Sequence, residues 1–345
     1  MQQLTLTQPD DWHLHVRTGD MLKTVINHTA RQFARAIIMP NLQPPVTNVA
    51  LALSYQQEIQ QAISSEYHFT PLMVLYLTNS TTVKDVQQAA DSPAVHAFKL
   101  YPAGATTNSD QGVTDLNAIF PVFAAMEKYN VPLLVHGEVT EPDIDIFDRE
   151  RIFIEQKLSV IHQHFPSLRI VLEHVTTSDA VQFVQQAPDN IAATITPQHL
   201  LYNRNAILVG GIKPHYYCLP ILKRETHRQA LVKAVSSGSP KFFLGTDSAP
   251  HLSHLKENSC GCAGCYSAYA AIELYAEAFE QAGCLDKLEG FASFYGADFY
   301  QLPRNTQQIT LEKTDWQVPK NYSVTEKTLL TPLKAGETLH WKLKN

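Results

Sequence analysis

No apolar run in this 345-residue sequence approaches the ~20 residues that a membrane span needs. The segment Met1-Gln2-Gln3-Leu4-Thr5 lacks a basic stretch followed by an apolar one, so no secretory signal and a cytoplasmic location are expected. Basic excess is missing too. With 27 Lys and Arg against 33 Asp and Glu, the formal charge of −6 argues against nucleic acid or an anionic membrane as partner. Cysteine is scarce: the five residues are an odd number for a disulfide framework, and free thiols are expected. No glycine-rich phosphate loop follows the first strand-like run, which counts against a dinucleotide fold. There is also no internal repeat, low-complexity tract or linker, so a single domain over 1–345 is expected, with an appendage from about 305 to 345.

The segment Cys260-Gly-Cys262-Ala-Gly-Cys265 gathers three thiols, but no fourth soft ligand stands at a finger-like spacing. A tight loop of small residues is the preferred reading there.

A hydrophobic fraction of 44% is ample for a large core. Strand-like runs at 4–16, 35–41, 69–77, 95–101, 131–138, 169–175, 191–196 and 241–247 are separated by helical patterns at 49–64, 115–129, 149–165, 178–186 and 222–236. This alternation predicts an α/β protein, specifically a (β/α)8 TIM-type barrel, with an open doubly wound sheet as the alternative. Helical stretches at 268–283 and 285–300 follow. The tail at 309–344 reads as an irregular or short-strand appendage packed on the barrel.

In such barrels the active site lies at the C-terminal ends of the strands. Those ends carry His13 and His15, then Asn41, Lys99, His136, His174 and Asp247. Side chains two apart on a strand point the same way, so His13 and His15 are expected to project together. Imidazoles and a carboxylate on one face form a donor set for divalent metal. Lys99, late in an apolar strand beside cations, is pushed toward its neutral amine, which can add CO2 to give a bridging carbamate. Glu138 and Glu173 neighbour ligand histidines, but alternation sets them off the ligand face or beyond it, and neither is assigned a role.

Six segments carry a resemblance: Asp-Trp-His-Leu-His-Val-Arg at 11–17, Met-Pro-Asn-Leu at 39–42, Phe-Lys-Leu-Tyr-Pro-Ala-Gly-Ala-Thr-Thr-Asn-Ser at 98–109, Val-His-Gly-Glu at 135–138, Leu-Glu-His-Val-Thr-Thr at 172–177 and Gly-Thr-Asp-Ser-Ala-Pro-His at 245–251. By them the chain resembles the amidohydrolase superfamily and, within it, the dihydroorotases of the shorter bacterial type. The resemblance implies two Zn2+ per subunit. His13, His15 and Asp247 would hold one and His136 and His174 the other, bridged by N6-carboxylated Lys99 and a hydroxide. It also implies a homodimer, a catalytic Asp247 acting as general base and then acid, and reversible cyclisation of N-carbamoyl-L-aspartate to dihydroorotate.

The substrate's unreactive carboxylate needs a holder. Arg17, two residues past His15, suits it by its planar fork, and Asn41 adds a neutral donor. Either His251 or His254 can reach in from the loop after Asp247; the resemblance favours His251. It likewise implies contacts from His15 and His136, and main-chain contacts from Leu219 and Ala263. The small polar loop at 102–112 is a candidate lid, closing with Thr106 and Thr107. Rival readings are a hydantoinase or allantoinase on the same metal core, and a metal-free barrel that only supports a carbamoyltransferase.

Overall fold

The computed structural model describes residues 2–259 and 261–344. A short strand, β1 (Gln3–Thr7), precedes the barrel strands β2 (Asp10–Leu14), β3 (Arg35–Ile38), β4 (Thr70–Tyr76), β5 (Val95–Leu100), β6 (Leu133–His136), β7 (Ile170–Glu173), β8 (Ile191–Ile195) and β9 (Phe242–Leu244). The 8-stranded sheet runs in sequential order from β2 to β9, with every neighbouring pair parallel. It closes just above the strand ends. Leu14 bridges Ser248, His15 N donates to the Ser248 carbonyl at 3.1 Å, and Asp247 N donates to the His13 carbonyl at 2.9 Å. This is the expected (β/α)8 barrel.

The run at 4–16 is not one strand. Pro9 has no amide to give a ladder, and the chain there leaves one sheet for another: β1 pairs antiparallel with β10 (Gln308–Gln317), while β2 pairs parallel with β3. The helix expected at 178–186 occupies Ser178–Gln186, capped by Thr177. That at 49–64 occupies Val49–Ala62, capped by Asn48, and that at 222–236 begins only at Glu225. The stretch at 149–165 holds a π-helical turn, Ile154–Leu158, between α-helical segments. Helices Gly19–Ala30 and Val83–Ala90 add to the expected set, the latter begun by a Thr82–Asp85 capping box.

Alternation along the strands builds two layers inside the barrel. Trp12, Ile37, Met39, Leu72, Val74, Ala97, Leu134, Val171, Ala192 and Phe243 form the apolar layer, plugged by Ala297 and Tyr300. Trp12 stacks on Tyr300 with ring centroids 4.6 Å apart. Gly296 permits that plug, since a Cβ there would lie 2.0 Å from Trp12 Nε1. Two residues further along the strands come Lys99, His136, Glu173, Thr194 and Gly245, so the layer above is polar.

The C-terminal appendage is more regular than expected. β10 lies between β1 and β13 (Thr338–Leu343), beside a hairpin of β11 (Tyr322–Thr325) and β12 (Thr328–Leu330). Leu311, Leu339 and Trp341 are fully buried against the barrel. Buried Glu277 of the helix Ala271–Gln281 accepts from His340 N at 2.6 Å and Lys334 Nζ at 3.1 Å. Among the described residues no helix is long and apolar enough to cross a membrane. Cys260 lies outside the described residues. Cys218, Cys262, Cys265 and Cys284 are free thiols, and Cys265 Sγ donates to the His215 carbonyl at 3.4 Å.

Candidate metal centre and active site

The polar layer gathers at the C-terminal end of the barrel. Lys99 Nζ is wholly buried, contacts Glu173, and lies 4.9 Å from the Tyr101 ring centre. His13 and His15 meet through their Nε2 atoms at 3.3 Å. Their approach owes something to irregular pairing: the register between β2 and β3 shifts between Asp11 and Leu14. Such a bulge re-aims side chains, which lets adjacent Trp12 and His13 both reach the interior.

His174 and Asp247 enter differently. Each lies past the end of its strand with a left-handed backbone, φ 43° and 45° respectively. Non-glycine residues adopt that conformation only where the surroundings impose it. Here His174 N donates to Thr194 Oγ1 at 2.7 Å. Before Asp247, the Asp11 carboxylate accepts from Thr246 N at 2.9 Å, Thr246 Oγ1 at 2.6 Å and His13 N at 3.1 Å. After His174, buried Glu150 accepts from the amides and hydroxyls of Thr176 and Thr177 at 2.5–3.1 Å.

Asp247 Oδ1 stands 3.3 Å from His13 Nε2 and 3.2 Å from His15 Nε2. The His174 ring centre lies 4.9 Å from that of His13 and 4.8 Å from that of His136. Burial pushes His15 down to about 3 and also lowers His13 and His174, so the imidazoles present lone pairs. Against its own desolvation, contacts with His13 and His15 hold Asp247 well below the usual carboxylate range. Desolvation drives Lys99 well below an ordinary lysine.

Among the described residues, two groups of His, Cys, Asp or Glu have ligand atoms within 4.8 Å of one another: His13, His15 and Asp247, and His13, Glu173 and His174. The first is an expected ligand set. The second adds Glu173 to His13 and His174; His136, the expected partner of His174, has its ring centre 4.8 Å from that of His174 and meets Glu138 Oε2 at 3.0 Å through Nε2. Both glutamates are therefore at the centre. Glu173 faces inward because strand alternation governs it, whereas His174 escapes that alternation through its positive φ. Among the described residues, Nδ1 of His174 and Oε1 of Glu138 are buried without hydrogen-bond partners, and His13 Nδ1 and Glu173 Oε1 approach to 3.1 Å unaligned for a hydrogen bond. A buried cluster of imidazoles and carboxylates suits divalent cations.

On the rim, Arg17 is not placed by strand alternation, because β2 ends at Leu14 and Arg17 itself has φ 59°. The Tyr55 hydroxyl fixes that turn, donating to the Arg17 carbonyl at 2.7 Å. Arg17 Nε donates to the Pro250 carbonyl at 3.2 Å, and its Nη2 lies 3.1 Å from His251 Nε2. Burial and the Arg17 charge lower His251 to about 2, so its ring is neutral and accepts. His251 is buried at the site, while His254 is exposed. Asn41 Nδ2 donates to the Thr107 carbonyl at 3.1 Å, and Asn108 Nδ2 returns a bond to the Asn41 carbonyl at 3.1 Å. The loop at 102–112 is better packed than its composition suggested: Ala105 and Ser109 are buried, and Thr106 N donates to Ser109 Oγ at 2.9 Å. Leu219 and Ala263 are half-buried. Asp11, Glu150, Thr194 and Thr246, which shape the site from behind, escaped the sequence reading. Of these, Asp11 and Thr246 fall inside quoted motifs, at 11–17 and 245–251, whereas Glu150 and Thr194 carry no such signal.

A closed α/β barrel with buried His, Asp and Lys side chains at its C-terminal end is an amidohydrolase-type barrel. No protein-family model matches the chain. Over 343 residues, however, it is 63% identical to a dihydroorotase of Acaryochloris marina, across 99% of both chains. The chain belongs to the dihydroorotase family. Its structure matches a dihydroorotase of Campylobacter jejuni with TM-score 0.91 at 37% identity, covering 99% of this chain and 98% of that one. It matches the Saccharomyces cerevisiae enzyme in complex with 5-fluoroorotic acid with TM-score 0.91 at 34% identity, covering 100% and 99%. An L-hydantoinase of Arthrobacter aurescens, TM-score 0.80 at 15% identity over 99% of this chain and 83% of that one, shares the fold.

Proposed function

We propose that this protein is a zinc-dependent dihydroorotase, catalysing reversible cyclisation of N-carbamoyl-L-aspartate to (S)-dihydroorotate and water in pyrimidine (UMP) biosynthesis. The observation that carries this choice over other cyclic amides is Arg17. Its guanidinium sits beside the donor cluster with only a carbonyl and a neutral imidazole as partners, and no carboxylate pairs with it among the described residues. A substrate carboxylate completes that site, and neither a hydantoin nor allantoin brings a matching one.

His13, His15 and Asp247 would hold one Zn2+ and His136 and His174 the second, with carboxylated Lys99 between them. When bound, the pair supplies Lewis-acid polarisation of the ring amide and lowers the pKa of a shared water. Asp247 takes the proton of the attacking water and passes it to the leaving nitrogen. Its low pKa makes it a modest base, offset by placement. Arg17, Asn41 and His251 orient the substrate carboxylate. Thr106 and Thr107 cover the ring from the 102–112 loop, and the Leu219 and Ala263 main chains meet its edge. The family resemblance also suggests a cytoplasmic homodimer, which sedimentation of the purified protein checks.

The test is dihydroorotate hydrolysis by protein of measured metal content, with Lys99→Ala alongside. Activity that follows metal toward two per chain and collapses in the variant supports the reading. Metal without this activity points to other cyclic amides, and absence of metal overturns the reading.

A further inference from the structure

Lys256 ends the short helix Ser253–Lys256 and is 4% exposed, yet it has no role in the chemistry above. An ammonium has three donors and no acceptor. All three are used on main-chain carbonyls: Tyr217 at 3.1 Å, Cys262 at 2.8 Å and Gly264 at 2.6 Å. No carboxylate pairs with it among the described residues, and burial lowers its pKa. A buried cation without a counter-charge is costly, so a mere loop tie is an expensive use of one.

The three carbonyls come from two segments far apart in sequence. One leads into Leu219 and the other flanks Ala263 on both sides. The segments also touch directly, Gly264 N donating to the Tyr217 carbonyl at 3.0 Å. Gly264 has φ 150°, and a Cβ there would lie 2.7 Å from the Ala249 carbonyl and 3.0 Å from His251 Cδ2. The tie therefore packs directly against the His251 ring.

We infer that Lys256 is a positioning residue: its ammonium sets the spacing of the 217–219 and 262–264 segments and thereby presents the Leu219 and Ala263 main chains to substrate. This rests on the dihydroorotase reading. A single nitrogen holds three carbonyls at 2.6–3.1 Å, and no neutral side chain carries three donors on one atom; its charge adds to that of Arg17 toward an anionic substrate.

Lys256→Met keeps the stem and removes the donors. With metal content and melting temperature measured beside the kinetics, KM for dihydroorotate should rise about tenfold or more, the loss expected of one to two hydrogen bonds. Metal content should match wild type and kcat should change far less. Lys256→Arg keeps the charge but not three donors on one nitrogen, and should shift KM by an intermediate factor. It also serves if the methionine variant fails to fold. An unchanged KM at full metal content, or parallel loss of kcat and metal, overturns the inference while leaving the dihydroorotase reading intact. Wild-type protein inactive on dihydroorotate would overturn both.

Discussion

A guanidinium and a carboxylate in this site show how far one side chain's chemistry depends on its partners. Arg17 engages only Nε and Nη2 among the described residues, on a carbonyl and on neutral His251, which leaves further donors for a substrate carboxylate. Arg17→Met should therefore raise KM for dihydroorotate by about 10- to 100-fold, the worth of a charge-assisted pair. Metal content should not change; a KM within twofold of wild type would remove Arg17 from substrate binding. Glu150 touches no expected ligand but accepts from four groups on Thr176 and Thr177, just after His174. Glu150→Ala would strand those buried donors and cost about 2–4 kcal/mol of stability. Denaturant titration reads that loss directly, and an undiminished midpoint would show that the threonines find other partners.

At the level of elements, the 102–112 loop and the helix Gly19–Ala30 make different promises. The loop is tied to Asn41 by an exchange of hydrogen bonds. Thr106→Ala or Thr107→Ala should lower turnover while metal content stays constant, whereas equal loss of both would mean that the loop acts through the metal ligands. In the helix, burial and then Arg31 push His28 down to about 4 from 6.5. Its ring meets the Tyr266 hydroxyl and lies 4.7 Å from Tyr322 of β11. Below pH 6.5 the unfolded chain binds a proton that the folded helix refuses until about pH 4. Its contribution is thus intact above 6.5 and is lost as pH falls through that window. His28→Phe keeps the ring contact and should flatten the fall of melting temperature between pH 6.5 and 4; an unaltered slope would assign the fall to other buried histidines.

For the whole molecule, we propose a single cooperative unit. β1 pairs with β10 of the appendage, and Trp341 is buried against the helix Ala271–Gln281 that also packs on the barrel. The three tryptophans report on it separately, Trp12 from inside the barrel and Trp316 and Trp341 from the appendage. Variants that keep only Trp12 or only Trp341 should show coincident unfolding midpoints. Separated midpoints would divide the chain into two domains.

Strand order and barrel class were legible in the sequence, because hydrophobic alternation marks strands, and the proposed donors His13, His15, Lys99, His136, His174 and Asp247 stand at or just past the strand ends. Pro9 is a local signal, and it separates β1 from β2. Other features have no local signature. Glu173 reaches Lys99 because it sits two residues beyond inward-facing Val171, while His174 and Asp247 turn inward on left-handed backbones held by Thr194 and by Asp11 through Thr246. Glu150 and Lys256 satisfy main-chain groups that sequence cannot show to be near. Which functional groups the chain carries, and on which strands, can be read along the chain because periodicity is a local property. Which of those groups meet is settled in three dimensions, because barrel closure and backbone strain are set by contacts between residues far apart in the chain.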